Sequence, residues 1–159
     1  MNTAMQTAYF KALEKRLAKM ELETRLMPSS DQPGVGQTMR FLLPISDDGD
    51  SVLVEVTAAT IDEELGFFQF YTTMLIDLKE PLDALREKIH QWNFVCPFGS
   101  FGIFEQEGHL YHKYALPVFS DEKKDPEVLV QETISILSVL YDIIGEQYYI
   151  AAEMLHAER

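Results

Sequence analysis

Trp92-Asn93-Phe94-Val95-Cys96-Pro97-Phe98-Gly99-Ser100-Phe101-Gly102-Ile103-Phe104 is the stretch on which the architecture of this 159-residue chain turns. Leu82, Leu85, Ile89 and Trp92 lead into it at helical spacing, so an amphipathic helix arrives at the junction. Cys96-Pro97 and two glycines then break that helix. Phe101 to Gln106 and Leu110 to Val118 read as strands joined through Glu107-Gly108, a connection short enough for an antiparallel hairpin. The passage specifies an architecture and carries no catalytic or metal motif.

Working outward, residues 5 to 20 place Tyr9, Leu13, Leu17 and Met20 on one helical face and Lys11, Lys15 and Lys19 on the other. Glu21 to Met27 reads as a short strand, and Pro28 to Gly36 as a flexible loop. Met39, Phe41, Leu43 and Ile45 alternate with Arg40 and Pro44, Asp47-Asp48-Gly49-Asp50 reverses the chain, and Val52, Val54, Val56 and Ala58 alternate with Glu55 and Thr57, which makes a hairpin. Asp62 to Gly66 marks another turn before a long strand, Phe67 to Ile76. Phe68, Phe70, Met74 and Ile76 take one side of that strand, and Phe67, Tyr71 and Leu75 the other. Pro81 suits the first turn of the middle helix. Asp125-Pro126 is an N-cap followed by proline at the first helical position, opening a last helix to about Leu155 that Gly145 is expected to kink. The expectation is an α+β fold of one domain, residues 1–159: an antiparallel sheet of five or six strands covered by three helices, in the order α-β-β-β-β-α-β-β-α.

The 26 acids against 13 bases give a formal net charge of -13. The bases are uneven, with four of them and a single acid in residues 1 to 20, so a basic first helix sits on an acidic body. A field of that sign repels phosphate backbones and anionic lipid, which argues against nucleic-acid or membrane partners and favours a basic protein partner. The longest apolar runs, Phe67 to Ile76 and Val139 to Ile144, fall short of the ~20 residues of a bilayer span. Bases interrupt the first helix where a secretory leader would be continuously apolar. Cys96 is the single cysteine and cannot form an intramolecular disulfide. Together these point to a cytoplasmic protein.

Candidate chemistry is thin. Asp47-Asp48-Gly49-Asp50 lacks the spacing and the later glutamate of a calcium loop. His109 and His112, three apart on a strand, fall on opposite faces and do not converge on a metal. Glu105 and Glu107 share a strand face without a cleft between them. Cys96 has His90 and His112 as conceivable bases, but nothing in the sequence brings them together, and a packing thiol is the simpler reading. Gly99 and Gly102 lack the lysine and following helix of a phosphate loop. No catalytic residue, metal or cofactor is therefore expected. Trp92 and the Phe67, Phe68, Phe70, Tyr71 cluster read as core more readily than as a ligand platform.

The sheet and the last helix carry more apolar faces than one layered domain buries. Phe67, Tyr71 and Leu75 on the strand, with Tyr148 on the broad apolar arc of the helix, are the candidate partner or dimer surface, and a homodimer is expected.

With Trp92-Asn93, Phe98-Gly99-Ser100-Phe101-Gly102, the strand Tyr111-His112-Lys113-Tyr114-Ala115-Leu116-Pro117 and the capped final helix, the chain resembles the YbjN-type and Tir-chaperone-like superfamily, which includes the small acidic dimeric chaperones of type III secretion. The resemblance covers roughly residues 5 to 155 in topology and rests on 89 to 118 in residues. It implies a cytoplasmic, non-catalytic protein-binding domain, often a homodimer, and transfers no catalytic residue. An immunity-type inhibitor of a basic toxin and a small-ligand-sensing domain are the alternatives.

Overall fold

Alternation of apolar and polar residues builds six antiparallel strands, and three helices close over one face of the sheet they form. The computed structural model describes residues 3–29, 35–47, 49–79, 81–119 and 125–157, with side chains to residue 155. The elements are α1 (Thr3–Ala18), β1 (Thr24–Met27), β2 (Val35–Pro44), β3 (Ser51–Thr60), β4 (Leu65–Leu75), α2 (Asp83–Val95), β5 (Ser100–Phe104), β6 (His109–Phe119) and α3 (Pro126–Ala157). This is the expected α+β order, with strands arranged β1-β2-β3-β4-β6-β5. Most of the expected Pro28 to Gly36 loop, and Asp48 of the acidic turn, lie outside the described residues.

Phe41, Leu43, Val52, Val54, Val56, Phe68, Phe70, Leu110, Leu116 and Val118 form the covered face of the sheet and are all buried. α1 seats on it through Tyr9, whose ring stacks on Phe68 at 3.6 Å between centroids, with Phe10 meeting Phe68 edge-on. The Tyr9 hydroxyl shares a 2.8 Å hydrogen bond with Thr133 Oγ1, tying α1 to α3. Burial pushes that phenol's pKa far above its ordinary value, so it stays neutral. α1 ends in a Schellman cap: Glu21 takes φ 61°, its N–H meets the Ala18 carbonyl, and the Leu22 N–H reaches back to the Leu17 carbonyl at 3.1 Å.

α2 starts at Asp83, with Leu82 at the N-cap, so Pro81 precedes the helix instead of entering its first turn. Trp92 is 5% exposed and meets Phe101 edge-on at 5.5 Å. Asn93, the next residue, accepts from the Phe101 N–H at 2.6 Å and donates to the Phe101 carbonyl at 2.9 Å. Its amide thereby occupies the outer backbone groups of edge strand β5 as a neighbouring strand would.

Asp125 caps α3 through a 3.0 Å bond from the Glu127 N–H to its carboxylate. The helix runs on through Gly145, which lies beside Ile45 of the β2–β3 connection with room for a Cβ at ordinary contact distance. Tyr149 donates to Asp50 at 2.7 Å and so pins the helix to that hairpin turn. By length and composition Pro126–Leu155 could cross a membrane, which reading the apolar runs one at a time had missed. In this fold Leu129, Val130, Ile134, Leu137, Leu140, Ile144 and Ala151 are buried in the common core with α1 and the sheet. Much of the broad apolar arc expected to need a second chain is thus covered within the first.

Candidate functional site

The face of the sheet turned away from the helices is the most extensive functional candidate. Strand alternation sends Arg40, Leu53, Glu55, Gln69, Tyr71, Thr73, Tyr111 and Lys113 to this side, and together they line an open concavity of about 680 Å³. Its floor is aromatic. β4 pairs with β6 in the register Thr73 to Tyr111 and Tyr71 to Lys113, which leaves the Tyr71 and Tyr111 rings diagonal to one another and stacked at 4.8 Å with 24° between planes. Gly102, beside Tyr111 on β5, makes room for this: a Cβ there would sit 2.6 Å from the Tyr111 hydroxyl oxygen.

Charges ring the pair. Arg40 Nε bonds Glu55 Oε1 at 2.6 Å across β2 and β3, and His109 Nδ1 lies 3.6 Å from Glu107 Oε2 at the far end. Partial burial raises the Tyr71 pKa, and the closeness of Tyr111 and of the carboxylates Glu107 and Glu55, which would repel a second negative charge, adds to the rise. Tyr71 therefore remains a neutral phenol able to donate. The face thus offers a stacked aromatic pair, the Gln69 amide, hydroxyls and charges of both signs.

The four residues singled out from the sequence do not form one surface. Phe67 and Tyr71 lie on the open face. Leu75 does not, because β4 carries a bulge between Thr73 and Leu75, and the extra residue inverts the alternation. Leu75 is paired with the buried Leu110 and packs against the core, while Ile76, assigned to the core side by simple alternation, is 61% exposed and lines the open concavity. Tyr148 belongs to α3 on the covered side, packed against the core and edge-on to Tyr149. Sequence reading missed Tyr111, Gly102 and Lys113 as members of the site. The signal was the alternation of β6, which is informative only once β4 is known to be its neighbour.

A second cluster joins Cys96 to His112. Gly99, at φ 75°, lets the chain pass so close to β6 that a Cβ would lie 2.2 Å from the Lys113 carbonyl, and this brings Cys96 Sγ to 3.8 Å from His112 Nε2. His90, the other conceivable base, is exposed on α2. The pair is not arranged as a catalytic dyad. Thiol and imidazole both donate to the Phe98 carbonyl, at 3.1 and 2.8 Å. An acceptor there puts the imidazole proton on Nε2, so no lone pair faces the sulfur. The basic nitrogen, Nδ1, is buried and has no hydrogen-bond partner among the described residues. Burial lowers the His112 pKa, partly offset by the bond to Phe98.

The remaining candidates resolve into local structure. Glu105 and Glu107 fall in the turn after β5, where Glu105 bonds Arg86 at 3.0 Å and Glu107 faces His109. Asp50 accepts from Tyr149. His109 and His112 do occupy opposite faces of the sheet. Among the described residues no group of three or more His, Cys, Asp or Glu side chains is placed to hold a metal ion. Comparison with family models, curated proteins and solved structures finds no match for this chain.

Proposed function

We propose that this chain is a non-catalytic protein-binding module, chaperone-like or regulatory, that acts in the cytoplasm as a homodimer and recognises a protein partner with the open face of its sheet. The observation that carries the reading is the stacked Tyr71–Tyr111 pair on a broad concave face turned away from α1, α2 and α3. Large, stiff aromatic rings bury much area at little cost in conformational entropy, which is why they dominate protein interfaces. Arg40, Glu55 and Lys113 around them offer partners for backbone or side-chain polar groups. The net charge of -13 would draw in a basic partner from a distance. A basic toxin held by an immunity-type inhibitor is one form such a pair could take.

Affinity capture from the native cytoplasm with the wild-type chain, with Tyr71→Glu and with Tyr148→Glu tests this directly. A partner retained by wild type and Tyr148→Glu but lost by Tyr71→Glu supports the open face. A partner retained equally by all three removes the face from the reading, and small-molecule turnover by the purified chain removes the non-catalytic assignment.

A further inference from the structure

On the opposite side of the sheet, where α1 ends, a partly enclosed cavity of about 200 Å³ lies between the α1 cap, β2 and α3. Its lining is Leu17, Met20, Leu22, Phe41, Leu43, Ile134, Leu137, Ser138 and Tyr141. The Ser138 hydroxyl already donates to the Ile134 carbonyl at 2.8 Å, one turn back on its own helix. Apart from Ser138 and the tip of Tyr141, the walls are hydrocarbon or thioether.

We infer that this cavity is a binding site for a small apolar molecule, a single aromatic ring or a short alkyl chain. Water in its interior gains little, because an ordered buried water needs two to four polar partners and the lining supplies the hydroxyls of Ser138, already bonded within its helix, and Tyr141. Dry cavities of about 150 Å³ accept benzene, so the volume here holds a ring with a small substituent. It is smaller than the roughly 300 to 1,000 Å³ of sites for drug-sized ligands, which limits the class of occupant.

The walls also resist collapse. Leu17 and Leu22 are held in place by the 3.1 Å backbone bond of the Schellman motif that joins them. The motif is held here with a glutamate at φ 61°. Phe41 and Leu43 are fixed by pairing of β2 with β3. Met20 is 46% exposed at the mouth, and its unbranched side chain can swing aside to admit a ligand. This site is independent of the open-face reading, since it lies on the other side of the sheet and shares no lining residue with the concavity there.

Toluene is the probe, titrated into the full chain while methyl resonances and thermal unfolding are followed. The expected result is saturable shifts confined to the methyl groups of Leu17, Leu22, Leu43, Ile134 and Leu137. At a hundredfold excess over its dissociation constant, toluene should raise Tm by about 5–10 °C. Leu22→Trp and Ser138→Leu, at half-buried and exposed rim positions, fill the cavity by different routes. In whichever of the two folds, as judged by its circular dichroism, the shifts and the Tm rise should disappear. Shifts scattered over the surface, no saturation, or full binding in a folded filled variant would overturn the inference. The exposed Phe94 of a second copy is the competing occupant. Toluene binding that appears only in Phe94→Ala, together with a fall in mass to the monomer, would assign the cavity to that side chain and overturn the small-molecule site.

Discussion

Lowering the pH from 7.5 to 5.5 should destabilise this protein through His112 in particular. The imidazole is 0% exposed, with Phe101 edge-on at 4.9 Å, its Nε2–H on the Phe98 carbonyl and its Nδ1 buried without a partner among the described residues. Protonating Nδ1 in place would leave a cation in that environment, which is why burial lowers its pKa from the ordinary 6.5. The sign follows from linkage: below 6.5 the unfolded chain takes up a proton that the folded chain refuses, so stability falls as pH falls. The loss approaches about 1.4 kcal/mol per pH unit for one proton, hence up to about 1.4 kcal/mol at pH 5.5, and levels off at the folded pKa. Urea titrations at half-unit intervals measure it against His112→Gln, whose amide keeps a donor near the place of Nε2. The variant should start less stable at pH 7.5 and decline less steeply, by no more than that amount over the interval. Parallel decline of the two proteins would refute the depressed pKa.

Trp92→Ala should cost ~3 to 5 kcal/mol in a denaturant titration, because the indole fills the space between α2 and Phe101; a loss below about 1 kcal/mol would mark it as a surface residue. Gly145→Ala should stabilise by up to about 1 kcal/mol, since the new Cβ meets the Ile45 carbonyl oxygen at an ordinary 3.5 Å and the helix interior gains a better helix former; destabilisation in the same titration would show that α3 packs more tightly there than the contact implies. Light scattering coupled to size exclusion should give twice the 18.2 kDa chain mass at micromolar concentration, a mass unchanged in high salt if apolar burial holds the pair; a clean monomer would refute the dimer.

Legibility tracked how local each feature was. The α2–turn–β5 passage is readable because the spacing of Leu82, Leu85, Ile89 and Trp92, the Cys96-Pro97 stop and the glycines all act within a few residues of one another. The α3 cap is readable for the same reason, through Asp125-Pro126. Leu75 and Ile76 were assigned to the wrong sides because a bulge depends on the register that β6 imposes on β4, and alternation along one strand carries no trace of it. The Tyr71–Tyr111 stack and the approach of Cys96 to His112 need β6 to lie inside β5 at the end of the sheet, a pairing across α2 and a hairpin. Tyr148 differs in another way: the apolar arc of α3 is real, and α1 and the sheet cover much of it while Val128 and Val139 stay exposed.

The treatment of the sheet edges explains why recognition would run through the face. A partner strand could extend an antiparallel sheet by pairing with an exposed edge, the commonest route to unintended association as well as to peptide capture. At β5 both backbone groups of Phe101, the second of its five residues, are taken by the Asn93 amide, at 2.6 and 2.9 Å, so a partner strand would have to displace that side chain to pair there. At the other edge β1 offers only four residues, with Arg25 exposed in the middle of them. Neither edge is a long, flat template. The open face differs on each count: it is broad, it presents the Tyr71–Tyr111 pair with Phe67 and Ile76 on the same side, and its ion pair and lysine supply polar contacts at the margin. Asn93→Ala separates the two routes. It leaves the open face untouched and frees the Phe101 edge, so it should add self-association or strand pairing without weakening partner capture. Loss of capture in Asn93→Ala would instead mean that the β5 edge and its helix, and not the aromatic face, form the recognition surface.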